Sequence, residues 1–396
     1  MSTLKEVKLK DICTFKYGKI HPKSLKVDVG YPVYSGYRVT GYTSQYLYEN
    51  PMLVVVARGV GGTGDVKISP KESWITNLSI VLDVDENKVD KYFLCDLLGL
   101  LSLKEKLDSG SAQSQITIDS LAPFKVNIPP LPIQKKIAKI LSNYDDLIKN
   151  NLKRIKFLEE SARLTYEDWF LRFRIDGEKL DIDSEMGLPY GWENKKIGDI
   201  CDVSSSKRIF SSDYVDDGVP FYRGKEITIK SQNKSIANEY FISEEKFEEI
   251  DNRFGSPKIN DILISAVGTL GSIYIVKESD GKFYFKDGNL LWLKNFIQDN
   301  SLFLFYALKS EKLQANISGI AIGSSQKALT IQALRSVEIT CPDSSINQKF
   351  NEKIRPIVLL IENLINQNQF LKEARDILLP RLMTGMIDVE DMKVAV

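Results

Sequence analysis

Histidine is almost missing from this chain, because His21 is the one histidine among 396 residues. Triads and metal clusters that depend on imidazole are therefore nearly excluded, and we expect His21 to be a surface residue. The four cysteines are scattered and form no CxxC pair, which favours buried apolar thiols over disulfides or a zinc module. These are Cys13, Cys95, Cys201 and Cys341.

Long apolar runs are also missing. No run of eighteen apolar residues occurs, and the start MSTLKEVKLK lacks the apolar core of a signal peptide, so we expect a cytoplasmic protein. The formal net charge is zero. Nonspecific affinity for DNA comes mostly from neutralised phosphates, so this balance weighs against a simple basic DNA-binding protein.

Catalytic motifs do not occur in their usual form. The Gly-Lys pair at 224–225 is followed by glutamate, so it is no nucleotide-binding phosphate loop. The glycines of GVGGTG at 59–64 lead to strand-like residues, where a dinucleotide fingerprint would lead to a helix. IPPL at 128–131 lacks the polar and aromatic residues that methyltransferases of amino groups use. Asn351 stands two residues before Lys353, where the metal site of a nuclease would need an acidic residue. We expect neither a catalytic centre nor a metal site in this chain.

The chain contains a long internal repeat. LVVVARGVGGTGDV at 53–66 returns as ILISAVGTLGSIYIV at 262–276, and SAQSQITIDSL at 111–121 returns as SSQKALTIQAL at 324–334. VKLKDICTF likewise returns as NKKIGDICDV. The separation of the copies grows along the chain, which indicates one duplication whose second copy carries loop insertions.

Each copy begins with short apolar runs separated by Gly, Pro, Asn and Ser, as at 53–56, 79–82 and 262–264. Such runs are typical of buried strands, and helical stretches near 89–107 and 301–314 make the fold class α+β. We therefore predict two duplicated globular domains with sheets of short strands. The first domain is expected at 1–131, and a linker with the second domain at 176–343.

Each copy ends in a long apolar stripe with three-four spacing, which predicts helices at 132–175 and 344–385 and a tail at 386–396. Each helix of about 40 residues would be about 60 Å long. Pro356 is expected to kink the second helix. The predicted seam consists of Ile133, Ile137, Ile140, Tyr144, Leu147, Ile155, Leu158, Ile346, Phe350, Ile357, Ile361, Leu364, Leu371 and Leu378.

A narrow stripe of this length needs a partner, and the other copy is the obvious one. The alternative is that each helix packs on its own globular domain. Asn151 and Asn368 lie on the predicted seam, where they would either determine the register of a helix pair or mark solvated ends.

Several segments together resemble the specificity subunit of type I restriction-modification systems. They are IPPLPIQKKIAKILSNYDDLI, INQKFNEKI, LLPRLMTGMI, the linker LPYGW at 188–192 and PVYSGYRVTGY at 32–42. The resemblance spans nearly the whole chain and lies in the combination of short motifs. One departure is the second junction, CPDSSINQK, which lacks the repeated prolines of the first and leaves the angle of the second helix open.

The resemblance implies that each globular domain is a target-recognition domain for one half of a split double-stranded DNA site. It also implies that the helices form an antiparallel coiled coil, which sets the spacing and docks two methyltransferase subunits. Two motor-nuclease subunits would complete a restriction complex. S-adenosylmethionine, ATP and magnesium would belong to those partners, which would also supply many phosphate contacts.

Base recognition requires forked donors and amides on loops beside a rigid sheet. Candidates in the first domain are Lys19, Tyr34, Ser35, Tyr37, Arg38, Arg58, Thr63, Gln113 and Gln115. Candidates in the second are Lys207, Arg208, Tyr222, Arg223, Lys225, Ser265, Thr269, Ser324, Ser325, Gln326 and Lys327. For any single residue, the alternative is an exposed turn residue without a role. The two sets differ, which predicts an asymmetric DNA site.

Two other classes of protein are alternatives to this interpretation. A fused nuclease or methyltransferase would require the motifs that are missing. A coiled-coil scaffold whose globular domains bind protein would share the helices but would not bind duplex DNA.

Overall fold

The computed structural model describes residues 4–59, 62–108, 114–234, 236, 240–323, 327–390 and 392. The chain divides into two compact units. Unit 1 comprises Met1–Lys149 and Gln369–Val396, and unit 2 comprises Asn150–Asn368. Within the described residues, no helix is both long and apolar enough to cross a lipid bilayer.

Unit 1 contains an α+β domain whose core strands are short and rich in β-branched residues, which suit a pleated buried surface. Its strands are β1 (Lys5–Lys8), β2 (Cys13–Tyr17), β3 (Lys26–Val27), β4 (Tyr31–Ser35), β5 (Arg38–Thr43), β6 (Leu53–Val56), β7 (Val66–Ile68), β8 (Trp74–Ile75), β9 (Ser79–Val84) and β10 (Lys125–Ile128). Its short helices are α1 (Lys91–Leu100), α2 (Leu103–Leu107) and α3 (Ile118–Leu121). The sheets have the strand orders β2-β9-β6-β7, β3-β5-β4-β8 and β1-β10.

Unit 2 contains a second α+β domain. Its strands are β11 (Arg174–Ile175), β12 (Glu178–Lys179), β13 (Glu193–Lys196), β14 (Asp202–Ser204), β15 (Tyr214–Val215), β16 (Val219–Tyr222), β17 (Tyr240–Ile242), β18 (Ile262–Ser265), β19 (Ile273–Ile275), β20 (Tyr284–Phe285), β21 (Leu290–Lys294) and β22 (Glu338–Cys341). Its short helices are α5 (Ile197–Ile200), α6 (Gly224–Ser231), α7 (Glu244–Phe254), α8 (Ser301–Lys309), α9 (Glu311–Ile320) and α10 (Ile331–Arg335).

The two domains share one topology. The sheets of unit 2 have the orders β14-β21-β18-β19, β15-β17-β16-β20 and β13-β22, which repeat the three sheets of unit 1 strand for strand. Two insertions distinguish the second domain, because α6 precedes β17 and α7 follows it, whereas β4 and β5 of unit 1 form a direct hairpin. The duplication and the α+β class predicted from the sequence are confirmed.

Two long helices, α4 (Leu131–Tyr166) and α11 (Ser344–Met383), complete the fold. A π-helical segment, Glu167–Leu171, directly follows α4. Proline is tolerated at the start of a helix, which fits the position of Leu131 in the proline-rich junction. α11 continues through Pro356 as one helix, and the kink expected there stays a prediction.

Within unit 2, the end of α4 and its π-helical segment pack on the beginning of α11. The Trp169 and Phe350 rings lie 5.9 Å apart, and Ile155 packs against Ile361 and Leu364. Within unit 1, the beginning of α4 shares a core with Leu382 near the end of α11. The two helices therefore run antiparallel, as the resemblance implied.

The helices also pack on their own globular domains. Ile133 and Ile137 belong to the core of the first domain, and Phe350 and Ile354 belong to that of the second. The two packing modes considered from the sequence are therefore combined along each helix. A wide apolar face can serve a domain on one flank and a partner helix on the other.

The predicted seam is wrong at Leu147, which is 51% exposed, whereas Leu141 and Ile148 are buried. The buried stripe passes through Leu141, Ile148 and Asn151, with Tyr144 half-buried between them. Ile140 and Leu147 each precede a residue of the buried stripe by one position, and they have the same seven-residue spacing as Leu141 and Ile148. Periodicity alone could not distinguish the two stripes, because apolar residues occupy both. Ile140 is half-buried against the first domain.

A pair of buried asparagines lies between the helices in unit 2. The Asn151 side-chain amide donates hydrogen bonds to Oδ1 of Asn368 at 3.0 Å and to Oε1 of Gln367 at 2.8 Å. These two hydrogen bonds form in one alignment only, so slippage of the helices would leave the Asn151 amide without partners. The Asn368 amide nitrogen is buried and has no hydrogen-bond partner among the described residues. This favours register over solvated ends as the role of the two asparagines.

The cysteines and the histidine have structural surroundings. Cys13, Cys201 and Cys341 are buried and unpaired, as predicted, and Cys95 is half-buried. Burial raises the pKa of the Cys13 thiol to about 12, so it is poorly reactive. The His21 ring packs edge-on against Trp74 with centroids 5.3 Å apart, so it is half-buried rather than a simple surface residue.

Candidate DNA-binding site

One edge of the first domain collects the carboxyl ends of strands from both of its larger sheets. β2 and β6 are each antiparallel to β9 and therefore run in the same direction, and β4 is parallel to β8. The backbone N–H of Lys19, after β2, donates to the Ile75 carbonyl at 3.0 Å, which joins the two sheets at this edge. We call this edge the unit 1 rim, formed by residues 18–20, 35–38, 57–59 and 114–116.

Four predicted residues are exposed on the unit 1 rim: Lys19, Tyr37, Arg38 and Arg58. The Arg38 guanidinium lies 5.7 Å from the centre of the Tyr37 ring. That ring lies so close to Gly62 that an added Cβ would come within 2.8 Å of it, so a side chain there would displace the ring. Among the described residues, no carboxylate forms an ion pair with Lys19, Arg38 or Arg58.

Other first-domain candidates support the rim from inside. Tyr34 and Thr63 are 6% and 4% exposed, so their side chains face inwards, and direct DNA contact by either stays a prediction. The Thr63 hydroxyl lies within hydrogen-bond distance of the Gly59 carbonyl (3.2 Å) and the Ser114 carbonyl (3.3 Å), and thus ties two rim loops together. The Ser35 hydroxyl accepts a hydrogen bond from Thr76 at 2.9 Å.

Gln115 is half-buried and forms a β-bridge with Arg58, which brings these two candidates together. Its backbone N–H donates to the Asp108 carboxylate at 3.1 Å. Gln113, the remaining first-domain candidate, lies outside the described residues.

The second domain has the same edge. β14 and β18 run in the same direction because both are antiparallel to β21, and β16 is parallel to β20. The Lys207 N–H donates to the Tyr284 hydroxyl at 2.9 Å, and the Leu329 N–H donates to the Ala266 carbonyl at 2.9 Å. We call this edge the unit 2 rim, formed by residues 205–208, 223–225, 266–269, 286–288 and 327–329.

The exposed candidates on the unit 2 rim are Lys207, Arg208, Lys225, Thr269 and Lys327. Arg208 forms an ion pair with Asp287 at 3.0 Å, and the Lys327 ammonium donates to a backbone carbonyl. Ser324, Ser325 and Gln326 lie outside the described residues.

Three second-domain candidates are structural. Tyr222 and Ser265 are 4% and 1% exposed, so their side chains face inwards, and their predicted DNA contacts stay predictions. Arg223 donates from Nε and Nη2 to the carboxylate of Glu226 at 3.1 and 2.8 Å. Burial raises the pKa of Glu226, but the hydrogen bonds from Arg223 outweigh burial and lower it. Arg223 therefore neutralises a buried carboxylate at the start of α6.

Sequence reasoning missed Lys286, Arg253 and Phe254. Lys286 follows β20 on the unit 2 rim, and its N–H donates to the Tyr222 carbonyl at 2.9 Å. Arg253 and Phe254 end α7, which is an insertion. The repeat could not indicate Arg253 and Phe254, because the first copy has no segment that matches α7.

The family comparison distinguishes a DNA-specificity protein from a protein-binding scaffold. The family model described as "Type I restriction modification DNA specificity domain" matches residues 1–160 and 189–372, most of both copies. The chain belongs to this family. It is thus a specificity subunit, and the DNA-specificity interpretation is confirmed over a protein-binding scaffold.

Individual relatives agree with the family assignment of the specificity subunit. The chain is 26% identical over 307 residues to the type I restriction enzyme MjaIX specificity subunit of Methanocaldococcus jannaschii, and the match covers 76% of this chain and 69% of the relative. It is 22% identical over 346 residues to the HindI specificity subunit of Haemophilus influenzae, covering 69% and 71%. The crystal structure of the S subunit from M. genitalium matches with a TM-score of 0.64 at 18% identity, covering 99% of this chain and 97% of that one, which shows the same fold.

Proposed function

We propose that the specificity subunit reads a split, asymmetric double-stranded DNA site, with one rim for each half. The observation that carries this proposal is the pair of matching strand-end rims with different exposed side chains. Rigid strand ends position loops well, and lysine, arginine and threonine are suited to base edges in the major groove. Identical rims would favour a palindrome, whereas these rims differ.

The composition of the rims supports different base preferences. The unit 1 rim exposes Arg38 and Arg58, whose forked guanidinium groups match guanine. The unit 2 rim exposes Lys225 and Thr269, which would contact bases through an ammonium, a hydroxyl or a methyl group, whereas its Arg208 is already paired with Asp287. We expect the half-site read by unit 1 to contain the stronger guanine preference.

We also propose that the chain itself is not catalytic. Methyl transfer with S-adenosylmethionine, and cleavage with ATP and magnesium, would belong to methyltransferase and motor-nuclease subunits. The balanced charge of the chain fits this division, because the partners would provide further phosphate contacts around the DNA.

Repeated apolar side chains on the long helices support docking of two methyltransferase subunits. On α4, Phe157 and Leu164 are 73% and 40% exposed; on α11, Phe370 and Ile377 are 68% and 54% exposed. Each pair is spaced seven residues apart and therefore lies on one helix face. Both pairs occupy the same positions in the repeat, so each copy offers one such surface to a partner.

Duplex-binding titrations of the full chain, with and without methyltransferase subunits, test the proposed DNA function. Methylation mapping of genomic DNA with and without this gene would reveal the site. We expect an asymmetric split sequence and no methyl transfer or cleavage by the chain alone. Sequence-independent binding of the complex, or turnover by the chain without partners, would contradict the proposal.

The docking surfaces are tested by Phe157→Ser and Phe370→Ser. Each change should remove one methyltransferase subunit, and the double variant should remove both, because an exposed aromatic anchor is lost from each surface. Native mass spectrometry measures the composition. Leu152→Ser, at a 52% exposed position elsewhere on α4, is the matched control. Full assembly by the double variant would show that the partners dock elsewhere.

A further inference from the structure

The insertion of the second domain adds a helix end to the unit 2 rim. β17 and α7 lie between β16 and β18, and α7 ends at Phe254, which is 40% exposed. Gly255 follows with φ of 81°, a conformation that favours glycine and ends the helix sharply. Since unit 1 builds the same sheets without α7, the helix is not required for the sheets.

The Phe254 ring holds two cations. The Lys207 ammonium lies 4.6 Å from the ring centre, and the Arg253 guanidinium carbon lies 5.2 Å from it. Because both contact one ring, their charges lie within about 10 Å of each other. The ring attracts each cation and restricts two otherwise flexible side chains, which lowers the entropy lost when they bind a ligand.

These two cations are poorly neutralised by the protein. Among the described residues, no carboxylate forms an ion pair with Lys207. Arg253 reaches Glu249 only at 3.7 Å, and Glu249 lies closer to Lys246, at 3.0 Å. Two like charges held side by side in this way are stabilised by an anion between or beside them.

We propose that Lys207, Arg253 and Phe254 form a phosphate clamp that holds the DNA backbone against the unit 2 rim. This inference rests on the proposed DNA function. Lys207 is itself a rim residue, next to the loops that carry the candidate base contacts. The clamp binds phosphate and therefore positions the second domain without selecting a sequence. It acts on one half of the site, because unit 1 has no α7.

The salt dependence of duplex binding tests the clamp in the full chain, alone and with methyltransferase subunits. Each lost phosphate contact lowers the slope of log affinity against log salt by about 0.9. Arg253→Gln should lower the slope by about that amount, and Phe254→Leu by at least as much, because Leu retains bulk but releases both cations. Affinity of the wild type should thus fall about threefold more than that of Arg253→Gln between 50 and 200 mM salt.

Arg174→Gln removes an exposed arginine from β11 and is the matched control, with an unchanged slope expected. Unchanged base preference in the clamp variants would support phosphate contact. An unchanged slope in folded Arg253→Gln and Phe254→Leu, with normal binding by the wild type, would overturn the clamp alone. A loss confined to the cognate sequence would also overturn it. Failure of the wild type to bind duplex DNA in any assembly would overturn the proposed function and the clamp together.

Discussion

At the scale of single residues, exposure separates candidate contacts from supports. Arg58 and Arg223 each lie just after the end of a strand and directly before a glycine, yet they differ in the structure. Arg58 is exposed and has no carboxylate partner among the described residues, whereas Arg223 is held by Glu226. The same residue type therefore has two roles, and a guanidinium already bound to a buried carboxylate is a poor reader of bases.

Arg58→Ala should reduce discrimination at one half-site by about 1–3 kcal/mol, the worth of a bidentate base contact. Arg223→Ala should instead lower the free energy of unfolding by about 1–3 kcal/mol, because Glu226 loses its charged hydrogen bonds. Affinity measured over single-base variants of the site, together with denaturant unfolding, distinguishes these effects. Equal weakening of all sequences by Arg58→Ala would make it a phosphate contact.

Asp96 on α1 should make stability depend on pH. Burial raises its pKa to about 6, although Arg375 opposes the shift. Between about pH 4 and 6 the folded state binds more protons at this carboxyl than the unfolded state, so stability falls as pH rises through that window. Asp96→Asn should remove this fall and stabilise unit 1 by about 1–3 kcal/mol at pH 8.

Thermal melting at pH 4.5 and pH 8 would measure the effect of Asp96→Asn. Asp83→Asn, at an exposed position on β9, is the control and should leave the pH profile unchanged. Equal dependence of stability on pH in the wild type and in Asp96→Asn would show that burial does not raise the pKa of Asp96 in the folded chain.

At the scale of elements, each long helix has several faces with different tasks. One face packs on a domain, one packs on the other helix, and one carries exposed apolar residues such as Phe157 and Phe370. The asparagine pair of Asn151 and Asn368 favours one register of the helices. Because each helix has these several faces, apolar residues cover more of its surface than the narrow stripe expected from the sequence.

Leu141→Asp should unfold the helix pairing of unit 1, whereas Leu147→Asp should have little effect. Leu141 is fully buried, so the change removes packing worth about 2–5 kcal/mol and buries a charge as well. Circular dichroism melting compares the two variants, which have the same chemistry in the same helix. A similar loss of stability in both variants would show that Leu147 packs in the seam, as the sequence predicted.

At the scale of the whole molecule, the duplication gives two domains of one topology, which we propose are two readers, and two repeated apolar surfaces on the long helices, which we propose are docking surfaces. The sheets are the same in both copies, while the rims and the α6 and α7 insertions differ. Divergence in loops changes a DNA sequence preference without disturbing the cores, since loops contribute little to packing. An asymmetric site is the expected result.

Deleting two heptads at paired positions of α4 and α11 should shorten the preferred spacer between the half-sites. Fourteen residues correspond to about 21 Å of helix, or roughly six base pairs at 3.4 Å each. Removal of whole heptads keeps the seam in register, and the rims are untouched, so the bases read should stay the same. Selection from a library with randomised spacers measures the change. An unchanged spacer in an assembled variant would show that the partners set the distance.

The sequence by itself determined the duplication, the α+β class, the two long helices and the family. These features depend on local periodicity and on comparison of one copy with the other, which require no knowledge of distant contacts. The proline-rich junction likewise indicated where α4 begins, because the conformation of proline is local.

Only the tertiary structure decided which face of each helix is buried and which polar side chains point outwards. Leu141 and Leu147 fit the same periodicity, and their exposure depends on what packs against each face. Tyr34 and Thr63 are turned inwards by contacts with residues far along the chain. The contact between Lys207 and Phe254 also depends on the fold, which brings together two residues that lie 47 positions apart in the sequence. Spacing along the sequence carries no information on such pairs.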